Sequence, residues 1–396
     1  MSANIQPSFS TCPACGLLCD DISPSNNTCA KSIAFFGQSL GDTSPQTKGK
    51  KVSIEEAVSH AAQLLKSSQK PVFSGLSTDI AGFKAVQHLA QKTGGALQHI
   101  NAQSMARNMK VLQSSGWQTT SLGEVKNRAD LIVCIGTDIV SHHPRFFERF
   151  VDIEGMFAGG KVSKREVIYV GVEHAPEGAW LLPSRADALP EILATLHALV
   201  LGKPLKAKEV AGLNVSDLQA LADKLKTAKY AVLAWVAKDL DFDHAELAIE
   251  QITKIVATLN QTARAAGLPL GGSDGDTSAN NVHTWRNGVV LEDAAQSTSL
   301  TANIHAGDSD AIIWANSFSP DKLPPKSAAP LIVLGNANLV FETPPDVFIP
   351  IATPALDCEG ALFRVDGSVI LPLKKARESS LPTLAEVVRR IEAELK

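Results

Sequence analysis

The chain has 396 residues, of which 44% are hydrophobic and 20% charged, with a formal net charge of -4. That length exceeds one ordinary core, and the balance is that of a globular protein, so two or three domains are expected. The charge offers no basic field to nucleic acid or an anionic membrane. No apolar run reaches about 18 residues, and the polar first residues lack the pattern of a signal peptide, so the expected location is cytoplasmic.

The polar stretch 41–51 reads as a linker. A helix opens after Ser53, which suits an N-cap, with Glu55 and Glu56 in its first turn and apolar residues at Ala57, Val58, Ala61, Leu64 and Leu65. A short buried strand over 71–75 precedes a helix over 81–93, broken by Gly94 and Gly95. The clearest strand is 130–138, whose continuous apolar run suits a parallel strand covered on both faces. Further strands are predicted at 166–172, 230–236, 311–315 and 330–335, and helices at 189–201, 215–228 and 245–266. Residues 348–352, a turn through 357–360 and residues 361–367 read as a small β unit. The amphipathic end, 384–396, suits a helix packed on the surface. No internal repeat is present.

Strands alternating with helices predict an α/β fold: two open, mainly parallel α/β sheet domains plus a small N-terminal cysteine-containing segment. The expected division is a cysteine segment and linker at 1–50, a first α/β domain at 51–200, a second at 201–345, and the β unit with the terminal helix at 346–396.

Four of the six cysteines fall together, at Cys12, Cys15, Cys19 and Cys29, while Cys134 and Cys358 stand alone. In a cytoplasmic protein such a cluster points to metal rather than disulfides. Several thiolates from one tight loop can converge on a centre, and Pro13 and Gly16 help the backbone turn between them. Tetrahedral zinc and an iron–sulfur cluster both require four. The spacing leans to the cluster, because zinc sites usually come as two short knuckles. The plainer alternative is four reduced, unmetallated thiols in a relic loop.

The segment from Cys12 through Asp21 resembles the N-terminus of the B-type subunit of formylmethanofuran dehydrogenase, a relative of the molybdopterin oxidoreductases. Later blocks are similar in the same order: 116–133, His142 to Arg145, 280–288 and 359–367. The resemblance covers roughly 10–370. It implies that Cys12, Cys15, Cys19 and Cys29 are ligand positions for a [4Fe-4S] cluster serving a tungsten or molybdenum bis-pterin. In this chain Cys19 and Cys29 stand closer than in the family.

The resemblance also implies a cysteine or selenocysteine ligand to the redox metal, followed by histidine, near 101–108. Here that position is empty, and no cysteine occurs between Cys29 and Cys134. Ser104 is an oxygen donor in that region, though a serine there reads more simply as a loop or cap residue. Cys134 reads as a core residue. Gly271, Gly272 and Gly275 form a glycine-rich run, but Asp274 and Asp276 within it would repel phosphate, and a surface turn is the expectation. Gly136 is a lone glycine at the exit of the clearest strand. His142, His143, Arg145 and Arg149 form the densest basic group and read as a helix start with surface charges. Asp20 and Asp21 read as turn residues rather than an acid–base pair.

A fold of this family without its metal ligand resembles the B-type subunit of the bacterial formyltransferase/hydrolase complex of methylotrophs. The resemblance implies one-carbon metabolism in which formyl groups leave formyl-tetrahydromethanopterin for a methanofuran-like carrier and end as formate. Catalysis would belong to the partner hydrolase and formyltransferase subunits, beside a further C-type chain. This chain would be structural, with no catalytic residue of its own and without the tungsten or molybdenum bis-pterin. The alternative is an active tungsten or molybdenum formylmethanofuran dehydrogenase chain with a [4Fe-4S] cluster.

Overall fold

The computed structural model describes residues 10–23, 27–153, 165–288, 290–291 and 309–396. Two compact units share the chain. Met1–Ala102 and Gly272–Lys396 make the first, and Gln103–Gly271, the second, is inserted between them in sequence.

The N-terminal part of the first unit carries α1 (Ala30–Phe36), β1 (Gln46–Thr47), β2 (Lys50–Lys51), α2 (Ile54–Ser67), β3 (Pro71–Ser77), α3 (Ile80–Thr93) and β4 (Ala96–His99). Ser53 caps α2 by accepting from the Glu56 backbone N–H at 3.1 Å, as the sequence suggested. Asp79 caps α3, and Gly94 ends it in the left-handed conformation (φ 65) that glycine adopts without strain.

Helix α4 (Ala102–Ser115) leads into the second unit: α5 (Leu122–Arg128), β5 (Leu131–Ile135), α6 (Ile139–His142), β6 (Glu166–Val170), β7 (Trp180–Leu182), α7 (Leu189–Val200), β8 (Glu209–Val210), β9 (Leu213–Asn214), α8 (Val215–Thr227), β10 (Ala231–Val236), α9 (Glu246–Leu259) and β11 (Ala265–Leu270). The chain then returns to the first unit with α10 (Asp276–Asn287), β12 (Ala311–Asn316), β13 (Leu331–Asn336), β14 (Val347–Ile351), the hairpin β15 (Gly360–Phe363) and β16 (Ile370–Leu373), and α11 (Leu384–Glu394).

Each unit is built on an open sheet. In the first the order is β2-β1-β14-β13-β12-β3-β4, parallel from β14 to β4 and closed by the antiparallel edge pair β1 and β2. In the second it is β11-β10-β5-β6-β7, parallel throughout. Strands β3, β5, β10 and β12 are buried along their whole length, which is why they read as unbroken apolar runs. Aspartates just ahead of the strands fix the register. Asp310 accepts from the Gln69 and Lys70 backbone N–H groups at 2.6 and 2.8 Å, joining the starts of β12 and β3. Asp130 does the same for β5 and β10 through Lys229 and Tyr230, at 2.8 and 2.9 Å.

The division expected from sequence differs from this. A boundary at 200/201 would cut the second unit between β7 and β10, and one at 345/346 would separate the hydrogen-bonded neighbours β13 and β14. The 1–50 segment is not separate either. Leu18 and Phe35 are buried in one cluster with Phe318, Leu356, Leu362 and Leu373. A linear reading cannot see that β3 pairs with β12 across the inserted unit. The terminal helix packs as expected, burying Leu384, Val387, Val388 and Ile391.

Candidate functional site

In an open α/β sheet a ligand is held beyond the carboxyl ends of the strands, where the strand order reverses. In the first unit that switch point lies between β3 and β12. The strand exits there supply Ser77, Thr78, Asn316 and Ser317, all buried, and β4 supplies His99. Gly272 to Asp276 closes over them. Its glycines have φ values of 77 (Gly272) and 71 (Gly275), and Asp274 between them has φ 57. A Cβ on Gly275 would collide with the Thr78 carbonyl oxygen, so glycine lets this turn lie flat on the β3 exit.

At the centre is the Asp274 carboxylate, whose side chain is 2% exposed. It accepts from Ser319 Oγ at 2.6 Å and Ser77 Oγ at 3.2 Å and is ion-paired with Lys322. Burial would raise its carboxyl, but Lys322, Ser319 and the nearby His99 outweigh burial and hold it below the usual range. His99 is buried and accepts from the Asn101 backbone N–H at Nδ1 (3.0 Å). That leaves Nε2 to donate to the Asp274 carbonyl at 3.2 Å. Burial lowers the His99 pKa to about 4, so the ring is neutral at pH 7. Burial also raises Asp276 to about 6, even though it accepts from the Thr277 backbone N–H at 2.5 Å. The expected surface turn is therefore a buried, self-satisfied polar plug.

Beside the plug lies the cysteine loop. A Cβ on Gly272 would sit 2.6 Å from Gly16 Cα, and the Gly16 carbonyl accepts from the Val365 N–H at 2.8 Å. The loop turns on Cys12 N–H to Cys19 carbonyl (2.9 Å) and on Leu18, at φ 46, whose N–H reaches the Cys15 carbonyl at 3.3 Å. Cys12, Cys15 and Cys19 are buried, and Cys29 is half-buried at the N-cap of α1. Burial pushes the Cys12 thiol up to about 11, with Cys15 and Cys29 near enough to add to the rise. Among the described residues, no three His, Cys, Asp or Glu side chains gather into a group that could hold a metal ion. The thiols have the right chemistry for a thiophilic metal. Pro24 to Asn26, in the short connection to Cys29, lie outside the described residues.

The second unit's switch point lies between β5 and β10. His142 Nε2 meets Asp239 Oδ1 at 2.7 Å, and Thr137 Oγ1 donates to Asp239 Oδ2 at 2.6 Å. Sequence reasoning found His142 but missed Asp239, which has no motif around it and arrives through a parallel pairing about a hundred residues away in sequence. The rest of the basic group is also tied up: Arg145 pairs with Glu148 (2.9 Å from Nε), and Arg149 lies 6.0 Å from the Phe150 ring centre. His143 is buried rather than a surface charge. Gly136 (φ 60) turns inward, where a Cβ would meet Leu189 and Leu240. Ser104 lies in the first turn of α4, and Cys134 is a fully buried core thiol whose pKa burial pushes to about 12. A bis-pterin dinucleotide would bring phosphates to strand exits of this kind, and the exits present Asp79, Asp274 and Asp239 to them. These residues do not fit the group.

No family model matches the chain. Among curated proteins, the B-type subunit of the tungsten-containing formylmethanofuran dehydrogenase 2 of Methanococcus maripaludis is 25% identical over 405 residues, covering 92% of each chain. The B-type Fhc subunit of the formyltransferase/hydrolase complex of Methylorubrum extorquens is 25% identical over 368 residues, or 87% of this chain and 96% of that protein. The chain is similar to B-type formylmethanofuran dehydrogenase subunits over about nine tenths of its length. Its fold matches a chain in the crystal structure of the Methylorubrum extorquens formyltransferase/hydrolase complex (FhcABCD) with methylofuran. The TM-score there is 0.75 at 23% identity, covering 89% of this chain and 98% of that one. Acetylene hydratase from Pelobacter acetylenicus shares the fold at a TM-score of 0.67 and 11% identity, over 98% of this chain and 69% of its own. The α/β fold and the resemblance read from the sequence are both borne out. No helix among the described residues is long and apolar enough to cross a membrane.

Proposed function

We propose that this chain is the structural B-type subunit of a formyltransferase/hydrolase-type complex in tetrahydromethanopterin-linked one-carbon metabolism, working in the cytoplasm beside hydrolase, formyltransferase and C-type partners. One observation carries the reading. The chain is similar to its Fhc counterpart over 96% of that protein's length, yet its strand exits hold carboxylates where a pterin dinucleotide needs phosphate seats. The absence of cysteine between Cys29 and Cys134 supports the same side. The chain then contributes a folded body rather than a reaction step, and the chemistry belongs to its partners. Cys12, Cys15, Cys19 and Cys29 are the ligand set for any iron–sulfur cluster or zinc it carries, held in a buried loop that braces the first unit.

Co-expression with the organism's own formyltransferase, hydrolase and C-type chains is the test. The expected result is co-elution as one complex whose formyl transfer and hydrolysis need this chain but survive the substitutions Ser104→Ala and His142→Ala. Stoichiometric tungsten or molybdenum in the purified complex, with formylmethanofuran oxidation, would establish the dehydrogenase reading instead.

A further inference from the structure

We infer that the first unit supplies its own anions at the switch point, with the Asp274 and Asp79 carboxylates filling the seats in which an open α/β sheet holds a ligand's phosphates. The inference rests on the same Asp274 carboxylate as the proposed function and deepens that reading, while its test reads this chain alone and not the assembly of a complex.

Two seats exist at such a point: the N-terminus of the helix after the first strand, and the crevice between the diverging strands. At the first, the backbone N–H groups of Ala81 and Gly82 are turned to the Asp79 carboxylate, at 3.3 and 3.0 Å. Asp79 is buried, and a Cβ on Gly360 would come within 3.0 Å of its Oδ2, so chain covers it. At the second, Lys322 and the hydroxyls of Ser77 and Ser319 converge on Asp274, which is a donor set of the kind that cradles a phosphate oxygen. The backbone is shaped to deliver that carboxylate: Asp274 takes φ 57 between two left-handed glycines, a conformation aspartate tolerates better than most residues. Side-chain exposure is 28% at Lys322 and 2% at Asp274, so the cation reaches inward to an anion that is already part of the chain.

The full chain carrying Asp274→Gly tests this. Glycine is at ease at this φ, so loss of stability reports the missing carboxylate rather than backbone strain. The expected result is a lowered Tm that tens of millimolar sodium acetate, which matches the deleted atoms, restores by about half or more. Asp274→Asn fills the same space without charge, and acetate should raise its Tm no more than that of the unaltered chain. An Asp274→Gly chain whose Tm equals the original, or does not respond to acetate, would overturn the inference. A second measurement stands if Asp274→Gly does not fold. Inorganic pyrophosphate should leave the Tm of the unaltered chain unchanged. A rise in Tm with pyrophosphate that Lys322→Ala abolishes would show the seat open to external phosphate and overturn the inference.

Discussion

His99 and Asp276, both buried near the switch point, should oppose each other in the pH dependence of stability. The His99 pKa is lowered from 6.5 to about 4. Between those values the unfolded chain binds a proton that the folded chain refuses. The His99 contribution is present above pH 6.5 and lost as pH falls towards 4, about 3 kcal/mol in all. Asp276 is raised from 3.8 to about 6, so its contribution is present below 3.8 and lost as pH rises through 6, about 3 kcal/mol. From roughly pH 4.5 to 5.5 the two slopes cancel. His99→Gln keeps an acceptor for the Asn101 N–H and a donor for the Asp274 carbonyl, and leaves the Asp276 slope exposed. Asp276→Asn leaves the His99 slope. Urea unfolding across that window should show His99→Gln gaining stability on acidification and Asp276→Asn losing it. The slopes should differ by about 2.7 kcal/mol per pH unit, all other groups being common to both. Parallel pH profiles for the two variants would refute the assignment.

Trp235→Ala should cost about 3–5 kcal/mol in urea unfolding, because the indole is fully buried, lies 6.0 Å from the Trp117 ring and donates to Asn108 at 2.9 Å. Thr383→Ala removes a capping box in which Thr383 and Glu386 satisfy each other's backbone N–H groups. It should cost about 1 kcal/mol and speed amide exchange in the first turn of α11. Anaerobically purified protein should carry iron with sulfide, or zinc, and Cys12→Ser should cut that content by about tenfold or more. Equal metal content in the two would remove the cysteine box from the ligand set. Because burial holds the Cys12 thiol near 11, loading of metal-free chain should speed up as pH rises towards that value.

Where local chemistry decides the structure, the sequence was enough. Six strands, including β3, β5, β10 and β12, fall where their apolar runs predicted them, and α2 starts behind the cap that Ser53 promised. The helix predicted over 245–266 is correct only to Leu259. Apolar residues continue past the turn at Asn260, which accepts from the Ala265 N–H at 2.9 Å, and the Ala265–Leu270 run is strand β11. Periodicity alone does not separate a short buried strand from the end of a buried helix. β4 escaped notice for a related reason: Ala96–His99 is four residues long and carries Gln98 and His99. The site was harder to read because it is assembled from distance. Asp274 reads as an exposed turn residue until Ser77, Ser319 and Lys322 are seen around it, and Asp239 gains meaning only when β10 lies beside β5.

The insertion of one unit within the sequence of the other sets an order on biosynthesis. All strands of the second sheet, β5 to β7, β10 and β11, have left the ribosome once Leu270 emerges. At that moment β3 of the first sheet has only β4 beside it, since β12, β13 and β14 have not yet been made. The nascent first unit therefore waits as an exposed strand pair with an open apolar edge while its guest completes, a period in which it is open to mispairing. The Asp310 clamp on Gln69 and Lys70 then sets the register in which β12 meets the waiting strand.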